Sequence, residues 1–288
     1  MQVLVTGANG QLGHELARTC PGGTDAYFAD RAALDLSADD VEETVVSLAP
    51  RIILNAAAYT AVDRAESERD LAFRVNGAGA GALARAAARL GARLVHVSTD
   101  FVFSGNASNP CLPDDAPAPA GAYGASKLAG EREVRAALPG AIILRTGWVY
   151  SAHGANFVKT MLRLMESRDR LGVVADQIGT PTWAKGLAQA VWELGLGGLT
   201  ARTLHWSDLG VASWYDFAVA IQEEALARGL LSRAVPVDPI RTVDYPTPAR
   251  RPAYSVLDKT DTLALLTAPR QHWREALRAM LDELKEQT

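Results

Sequence analysis

The feature that most narrows the fold is the place where the first apolar run ends. Residues 2–6 (Gln-Val-Leu-Val-Thr) pass straight into Gly7-Ala8-Asn9-Gly10-Gln11-Leu12-Gly13, and helical spacing follows over 11–19. Glycines at 7, 10 and 13 between a strand and a helix allow backbone to approach a pyrophosphate closely. The helix that follows presents free N–H groups and the positive end of its dipole. The last glycine, with no side chain, lets the helix pack tightly on the sheet. A turn of this kind opens a βαβ unit, which requires a parallel sheet with right-handed crossovers.

The rest of the first half keeps that rhythm. Strands are predicted over 26–30, 51–55, 92–98 and 141–146, and helices over 39–48, 71–90 and 125–138, with Ser37 available to cap the first of these. Runs such as Ile52-Ile53-Leu54 and Ile142-Ile143-Leu144 are apolar throughout rather than alternating, as expected for strands covered by helices on both faces. After residue 146 the pattern changes. Helices are predicted over 156–167, 182–194, 213–228 and 273–285, one more strand over 203–206, and a proline-rich loop over 236–252. The expected fold is α/β, a Rossmann-like doubly wound parallel sheet with a smaller C-terminal substrate-binding lobe. Residues 1–148 form the dinucleotide-binding domain in this reading, with 182–207 packing back on it. Residues 149–181 and 208–288 form the lobe.

Composition excludes several classes of function. The net charge of −4 and scattered arginines argue against nucleic acid as a partner, since no basic run exceeds Arg250-Arg251. No apolar run approaches the roughly 18 residues needed to span a bilayer, and the N-terminus shows no basic, apolar leader pattern. The expectation is a cytoplasmic protein, and Cys20 and Cys111, in no CxxC or Cys/His spacing, suit a reducing interior. The five histidines share no ligand-like spacing, and His96, inside an apolar strand, reads as a core residue. No metal is expected. No G-x-S-x-G elbow is present to suggest a hydrolase.

Three further patterns carry chemistry. Asp30 ends the second strand 20 residues after the middle glycine, where an acid holds the adenosine ribose of NAD, while its neighbour Arg31 suits the 2′-phosphate of NADP. The two charges pull cofactor preference in opposite directions, so both cofactors stay open. Tyr123 and Lys127 stand one helical turn apart and share a face. An ammonium beside a phenol lowers its pKa from about 10, which equips the phenol for proton exchange near neutral pH. Ser98-Thr99-Asp100 closes a strand at the end where ligands of parallel sheets bind, and a hydroxyl there can bond a substrate oxygen.

Together, TGANGQLG (6–13), NAAAYTAVDRAE (55–66), VSTDFVFSG (97–105), YGASKLAGE (123–131) and RTGWVY (145–150) resemble the extended short-chain dehydrogenase/reductases, and more narrowly the dTDP-4-dehydrorhamnose reductase family. The similarity continues through NFVKTMLRL (156–164), DQIGTPTWAKGLA (176–188) and YPTPARRPAYSVLD (245–258). It therefore covers nearly the whole chain, and order and spacing carry its specificity.

The resemblance implies reduction of the C4 keto group of a dTDP-linked 4-keto-6-deoxy-L-sugar, dTDP-4-dehydrorhamnose, to dTDP-L-rhamnose by NADPH, with NADH also admitted. It implies Tyr123 as proton donor, Lys127 on the nicotinamide ribose, and Thr99 on the C4 oxygen, where many relatives carry serine. The implied cofactor residues are Gly7, Asn9, Gly10, Gln11, Leu12, Gly13, Asp30, Arg31, Asp35, Leu36, Ala56, Ala57, Ala58, Tyr59 and Ser98. Thr99, Asp100, Trp148, Asn156 and Arg251 are implied for the substrate. The assembly is expected to be a monomer or homodimer.

Two positions depart from the family pattern. Phe101 stands where tyrosine is usual, which keeps the aromatic packing. Some relatives hold Mg²⁺ at a dimer contact through glutamates; Glu15 matches one, but Lys185 replaces another with a positive charge. The alternatives are a reductase of another nucleotide-linked 4-keto-6-deoxysugar and a non-catalytic NADP-binding regulatory subunit. A dehydratase is disfavoured because Asp100 is followed by Phe101 rather than a second acid.

Overall fold

The computed structural model describes residues 2–287. Its centre is a six-stranded sheet of β1 (Val3–Thr6), β2 (Ala26–Ala29), β3 (Ile52–Asn55), β4 (Arg93–Thr99), β5 (Ile142–Thr146) and the strand Arg202–His205. The spatial order is β2-β1-β3-β4-β5 and then Arg202–His205, with every neighbouring pair parallel. The chain reverses its direction of travel between β1 and β3, and the crevice beyond their carboxyl ends is where doubly wound sheets take ligands.

The uniformly apolar strands are explained by their two covered faces. Val3, Val5, Leu54, Val95 and Leu144 pack against α1 (Gln11–Arg18) and a later helix (Ala184–Leu196), through Leu16, Leu187, Val191 and Trp192. Their neighbours Leu4, Ile53, Leu94 and Ile143 face the other way, onto α2 (Val41–Leu48), α4 (Ala80–Leu90) and α5 (Ala122–Ala137), through Val45, Leu83, Ala87 and Val134. The helix expected over 71–90 begins earlier, as α3 (Arg69–Phe73), and passes through a π-helical stretch, Arg74–Gly79, before α4.

A separate core lies beyond the sheet. It is built by α6 (Phe157–Ser167), α8 (Trp214–Arg228) and α10 (Trp273–Glu286), with Val158, Met165, Phe217, Ile221, Leu277 and Leu281 at its centre. Several local expectations need correction. The stretch over 236–252 is not all loop, since Val237–Ile240 pairs in parallel with Leu171–Val174 and Thr242–Asp244 forms a 3-10 turn. Pro239 is tolerated there because the strand has a partner on one side only. Thr182–Trp183 pairs with Val149–Tyr150, so α7 (Ala184–Leu196) starts two residues later than expected. Ser37 does not cap α2; its hydroxyl donates to Asp35 at 2.7 Å. The short α9 (Thr260–Leu265) has no counterpart in the sequence reading. Among the described residues, no helix is long and apolar enough to cross a membrane.

Candidate active site

The glycine turn is made by contacts that allow no side chain. Gly7 has φ +73°, and a Cβ there would lie 2.7 Å from Ala57 Cα; one on Gly13 would lie 2.1 Å from the Gly7 carbonyl oxygen. Gly10 precedes α1 and offers no side-chain cap, so the helix N-terminus keeps its anion-receptive N–H groups. The Thr6 hydroxyl donates to Asn55 Oδ1 at 2.7 Å, and the Ala57 N–H donates to the same oxygen at 3.2 Å. That polar stitch fixes Ala56, Ala57 and Ala58 against Gly7. Asn55 Nδ2 also meets His96 Nδ1 at 2.8 Å, and burial holds that buried imidazole neutral.

Asn9 donates to Asp30 at 3.1 Å, and the Ala33 N–H, followed by Asn9, keeps the Asp30 carboxyl below its usual range. Arg31 is exposed at the rim and pairs with Asp35 at 3.1 Å. Asp35 is held below its usual range chiefly by the Ser37 N–H and hydroxyl, with Arg31 contributing less. Leu12 and Leu36 turn into the core. Tyr59 donates its hydroxyl to Glu68 at 2.6 Å and its N–H to Asn76 at 2.8 Å.

The catalytic corner forms where α5 begins, at Ala122, one turn earlier than expected. The Ala122 N–H donates to Glu66 at 2.7 Å, and the Ser126 hydroxyl donates to the Tyr123 carbonyl at 2.7 Å. Asn76, in the π-helical stretch, donates to Ser126 at 2.9 Å and to the Tyr59 carbonyl at 3.0 Å. Tyr123 meets Phe101 edge to face at 5.5 Å, and its hydroxyl lies within hydrogen-bonding reach of Thr99. Burial pushes the phenol up to about 12, against the Thr99 bond. The depression expected from the Lys127 ammonium is absent from the influences on this phenol, where burial dominates, and Tyr123 is protonated at neutral pH. Lys127 is buried, donates to the Val97 carbonyl at 2.7 Å, and is pushed down by burial to about 8, with Glu131 opposing.

Thr99 donates to Asp100 at 3.0 Å and accepts from the Phe101 N–H at 3.2 Å. Asp100 is buried, and desolvation raises its carboxyl to about 6 despite the Ser255 and Thr99 hydroxyls. Ser98 points to the opposite face, because side chains alternate along a strand. Its hydroxyl donates to Glu131 at 2.6 Å, and Glu131 forms a buried two-point pair with Arg145 at 2.9 and 2.7 Å. The Ser98 side chain thus braces the seam between β4 and α5, contrary to its expected place on the cofactor.

Trp148 holds a left-handed backbone (φ +53°), rare for a bulky residue. Its ring stacks coplanar on Trp214 at 3.4 Å, and Gly179 supplies the space, since a Cβ there would lie 2.5 Å from the indole. Two residues expected on the substrate, Asn156 and Arg251, are engaged elsewhere. Asn156 caps α6 by accepting from the Lys159 N–H at 3.1 Å, and donates to Gln11 at 2.9 Å. Arg251 makes a two-point pair with Asp63 at 3.0 and 2.8 Å.

The surroundings of Glu15, the residue matched to a Mg²⁺ site, do not fit a divalent cation. Buried Glu15 accepts from Ser151 at 2.7 Å and pairs with Arg18 at 3.2 Å. Arg18 and Lys185 both pair with Glu283, at 2.8 and 2.7 Å. Fixed cations already neutralise these acids.

Residues missed at the sequence level are Asn76, Glu66, Glu131, Arg145, Asp63 and Trp214. Only Asn76 carried a signal: Asn76-Gly77-Ala78-Gly79 places glycines inside a helical pattern, a mark of close approach. A Cβ on Gly79 would lie 2.3 Å from the Leu36 carbonyl oxygen, and one on Gly130 would lie 2.0 Å from that of Asn76.

A doubly wound sheet, a glycine turn at its switch point and a Thr-Tyr-Lys corner at the same edge define a Rossmann-like protein of the short-chain dehydrogenase/reductase kind. Within that class the chain belongs to the family described as the RmlD substrate binding domain, which matches residues 1–286. It is 42% identical over 285 residues to a dTDP-4-dehydrorhamnose reductase of Aggregatibacter actinomycetemcomitans, an alignment covering 96% of this chain and 97% of the relative. A crystal structure of a dTDP-4-dehydrorhamnose reductase from Clostridium acetobutylicum superposes with a TM-score of 0.89 at 40% identity, covering 99% of this chain and 100% of that one. The Bacillus anthracis enzyme, solved in complex with NADP, also gives 0.89 at 38% identity, covering 98% and 100%.

Proposed function

We propose that this chain reduces the C4 keto group of dTDP-4-dehydrorhamnose to dTDP-L-rhamnose, with NADPH as reductant and NADH also accepted. The observation that carries this reading is the meeting of Thr99 and the protonated phenol of Tyr123 at the sheet edge that bears the glycine turn. NADPH, when bound, supplies the hydride. The turn from Gly7 to Gly13 with the N-terminus of α1 would hold its pyrophosphate, and Asp30 and Arg31 its adenosine ribose and 2′-phosphate. Ala56 to Tyr59, fixed by Asn55 and Asn76, would line the nucleotide. Lys127, anchored on the Val97 carbonyl, would orient the nicotinamide ribose. Thr99 would hydrogen-bond the C4 oxygen, and Tyr123 Oη would deliver the proton that this oxygen takes up as its negative charge develops. Trp148 would close over the sugar. Residues 149–181 and 208–288 would form the substrate lobe, in a cytoplasmic monomer or homodimer.

The test is loss of NADPH absorbance on adding enzymatically prepared dTDP-4-dehydrorhamnose, with the product examined by NMR. The expected result is turnover to the L-rhamno configuration at C4. The opposite C4 epimer would identify a different deoxysugar reductase, and normal NADPH binding without turnover would identify a regulatory protein.

A further inference from the structure

Between α5 and the sheet lies a buried ionic cluster that the proposed reaction does not use. Ser98 on β4 and Arg145 on β5 stand opposite each other in the sheet register, and Glu131 of α5 bonds to both. Each of the three is 3% exposed. Glu131 Oε1 accepts from Ser98 Oγ at 2.6 Å and from Arg145 Nε at 2.9 Å, and its Oε2 accepts from Arg145 Nη2 at 2.7 Å. An ion pair this deep contributes little net stability, because desolvation offsets the attraction. Its charges act strongly on ionisable neighbours, since no water screens them.

Lys127 is such a neighbour. It precedes Glu131 by one helical turn, on the same face of α5. Its ammonium donates to the carbonyl of Val97, the residue before Ser98. The remaining contacts of the guanidinium are with other segments: Arg145 Nη1 donates to the Pro113 carbonyl at 3.0 Å, and Cζ lies 5.0 Å from the centre of the Phe103 ring. The other titratable groups around Lys127 are Tyr123, one turn earlier on α5, and His96 on β4, which burial keeps neutral. Among these groups Glu131 is the one that acts on the ammonium, and it opposes the effect of burial.

We propose that Glu131 is a positioning residue for the reaction: fixed by Ser98 and Arg145, its carboxylate sustains the charge of the Lys127 ammonium inside the protein. Its effect on rate rests on the reductase reading. NMR titration of protein carrying isotope-labelled lysine reads the Lys127 charge directly, with the signal assigned by its loss in Lys127→Met. Glu131→Gln should move the Lys127 midpoint down by about one pH unit or more, the scale of losing a nearby opposite charge. Arg145→Gln frees the carboxylate of its counter-charge and should move the midpoint up. A merely structural pair would not give opposite shifts. Ser98→Ala keeps both ions and removes one donor from Glu131, so it should give a smaller upward shift. The alkaline limb of kcat/KM should follow each midpoint. Midpoints that stay in place, or that move the same way in Glu131→Gln and Arg145→Gln, would overturn the proposal and leave the reductase reading standing. Should either charge variant not fold, an unmoved midpoint in Ser98→Ala would overturn it. Shifted midpoints in a protein whose wild type gives no turnover would overturn the reductase reading instead.

Discussion

Tyr123 and Lys127 sit one turn apart on α5, and burial moves the phenol up to about 12 and the ammonium down to about 8. Each shift favours the uncharged form, as desolvation must. Tyr123 is then a proton donor across the physiological range, and Lys127 is the group that titrates. Its cationic form predominates below about 8 and is lost as the pH rises through that value. The rate of ketone reduction should therefore fall with an apparent pKa near 8 in a kcat/KM profile; a flat profile to pH 10 would contradict this role for Lys127. Asp100 gives the second prediction at this scale. Its folded-state pKa of about 6 is raised from the ordinary carboxylate value near 4, so the folded protein binds the extra proton. Stability from this group is present below about pH 4, is lost between 4 and 6, and stays lost at neutral pH. Asp100→Asn should raise Tm at pH 7 and bring little gain at pH 4, and a lower Tm at pH 7 would contradict the assignment. Thr99, Tyr123 and Lys127 stood out in the sequence through strand-end position, the i, i+4 spacing and the family resemblance taken together. The fates of Ser98, Asn156 and Arg251 were hidden, because their partners Glu131, Gln11 and Asp63 are remote along the chain and only folding brings them near.

The glycine turn, β1 to β5 and the main helices could be read from the chain because each has its own period or punctuation. The π-helical stretch was only hinted at by Gly77 and Gly79, since glycines inside a helix signal close approach but not a widened turn; Asn76 in that turn meets Tyr59 and Ser126. Two-residue strands such as Thr182–Trp183 have no periodicity to read. Trp148 is the clearest case of one element constraining another. Its left-handed backbone is held by the stack on Trp214 at the start of α8 and by the space at Gly179. Aromatic pairs contribute about 0.5–1.5 kcal/mol beyond area burial. Trp214→Leu should thus raise KM for the keto sugar severalfold while leaving KM for NADPH unchanged. Equal KM values for both substrates in the variant and wild type would show that Trp148 needs no such support.

For the molecule as a whole, the alternation of strands and helices was enough to predict a parallel sheet with both faces covered. The second core was harder to foresee: the amphipathic spacing of α6 and α10 marks a face of each for burial but does not say which helix faces which. Where that lobe meets the first helix, Arg18 and Lys185 join Glu15 and Glu283 without a metal's help. A chelator should leave Tm unchanged, whereas Lys185→Glu should lower Tm and make it respond to Mg²⁺; a fall in wild-type Tm with chelator would contradict the fixed-cation account. The phenol of Tyr123, beside Thr99 on a helix turn that Ser126 and Asn76 brace through the backbone, is taken as the proton source for ketone reduction. Steady-state reduction of dTDP-4-dehydrorhamnose by Tyr123→Phe tests it most directly. The expected result is a loss of about 10²-fold or more in kcat with NADPH affinity preserved, and a variant that turns over like the wild type would contradict this role for Tyr123.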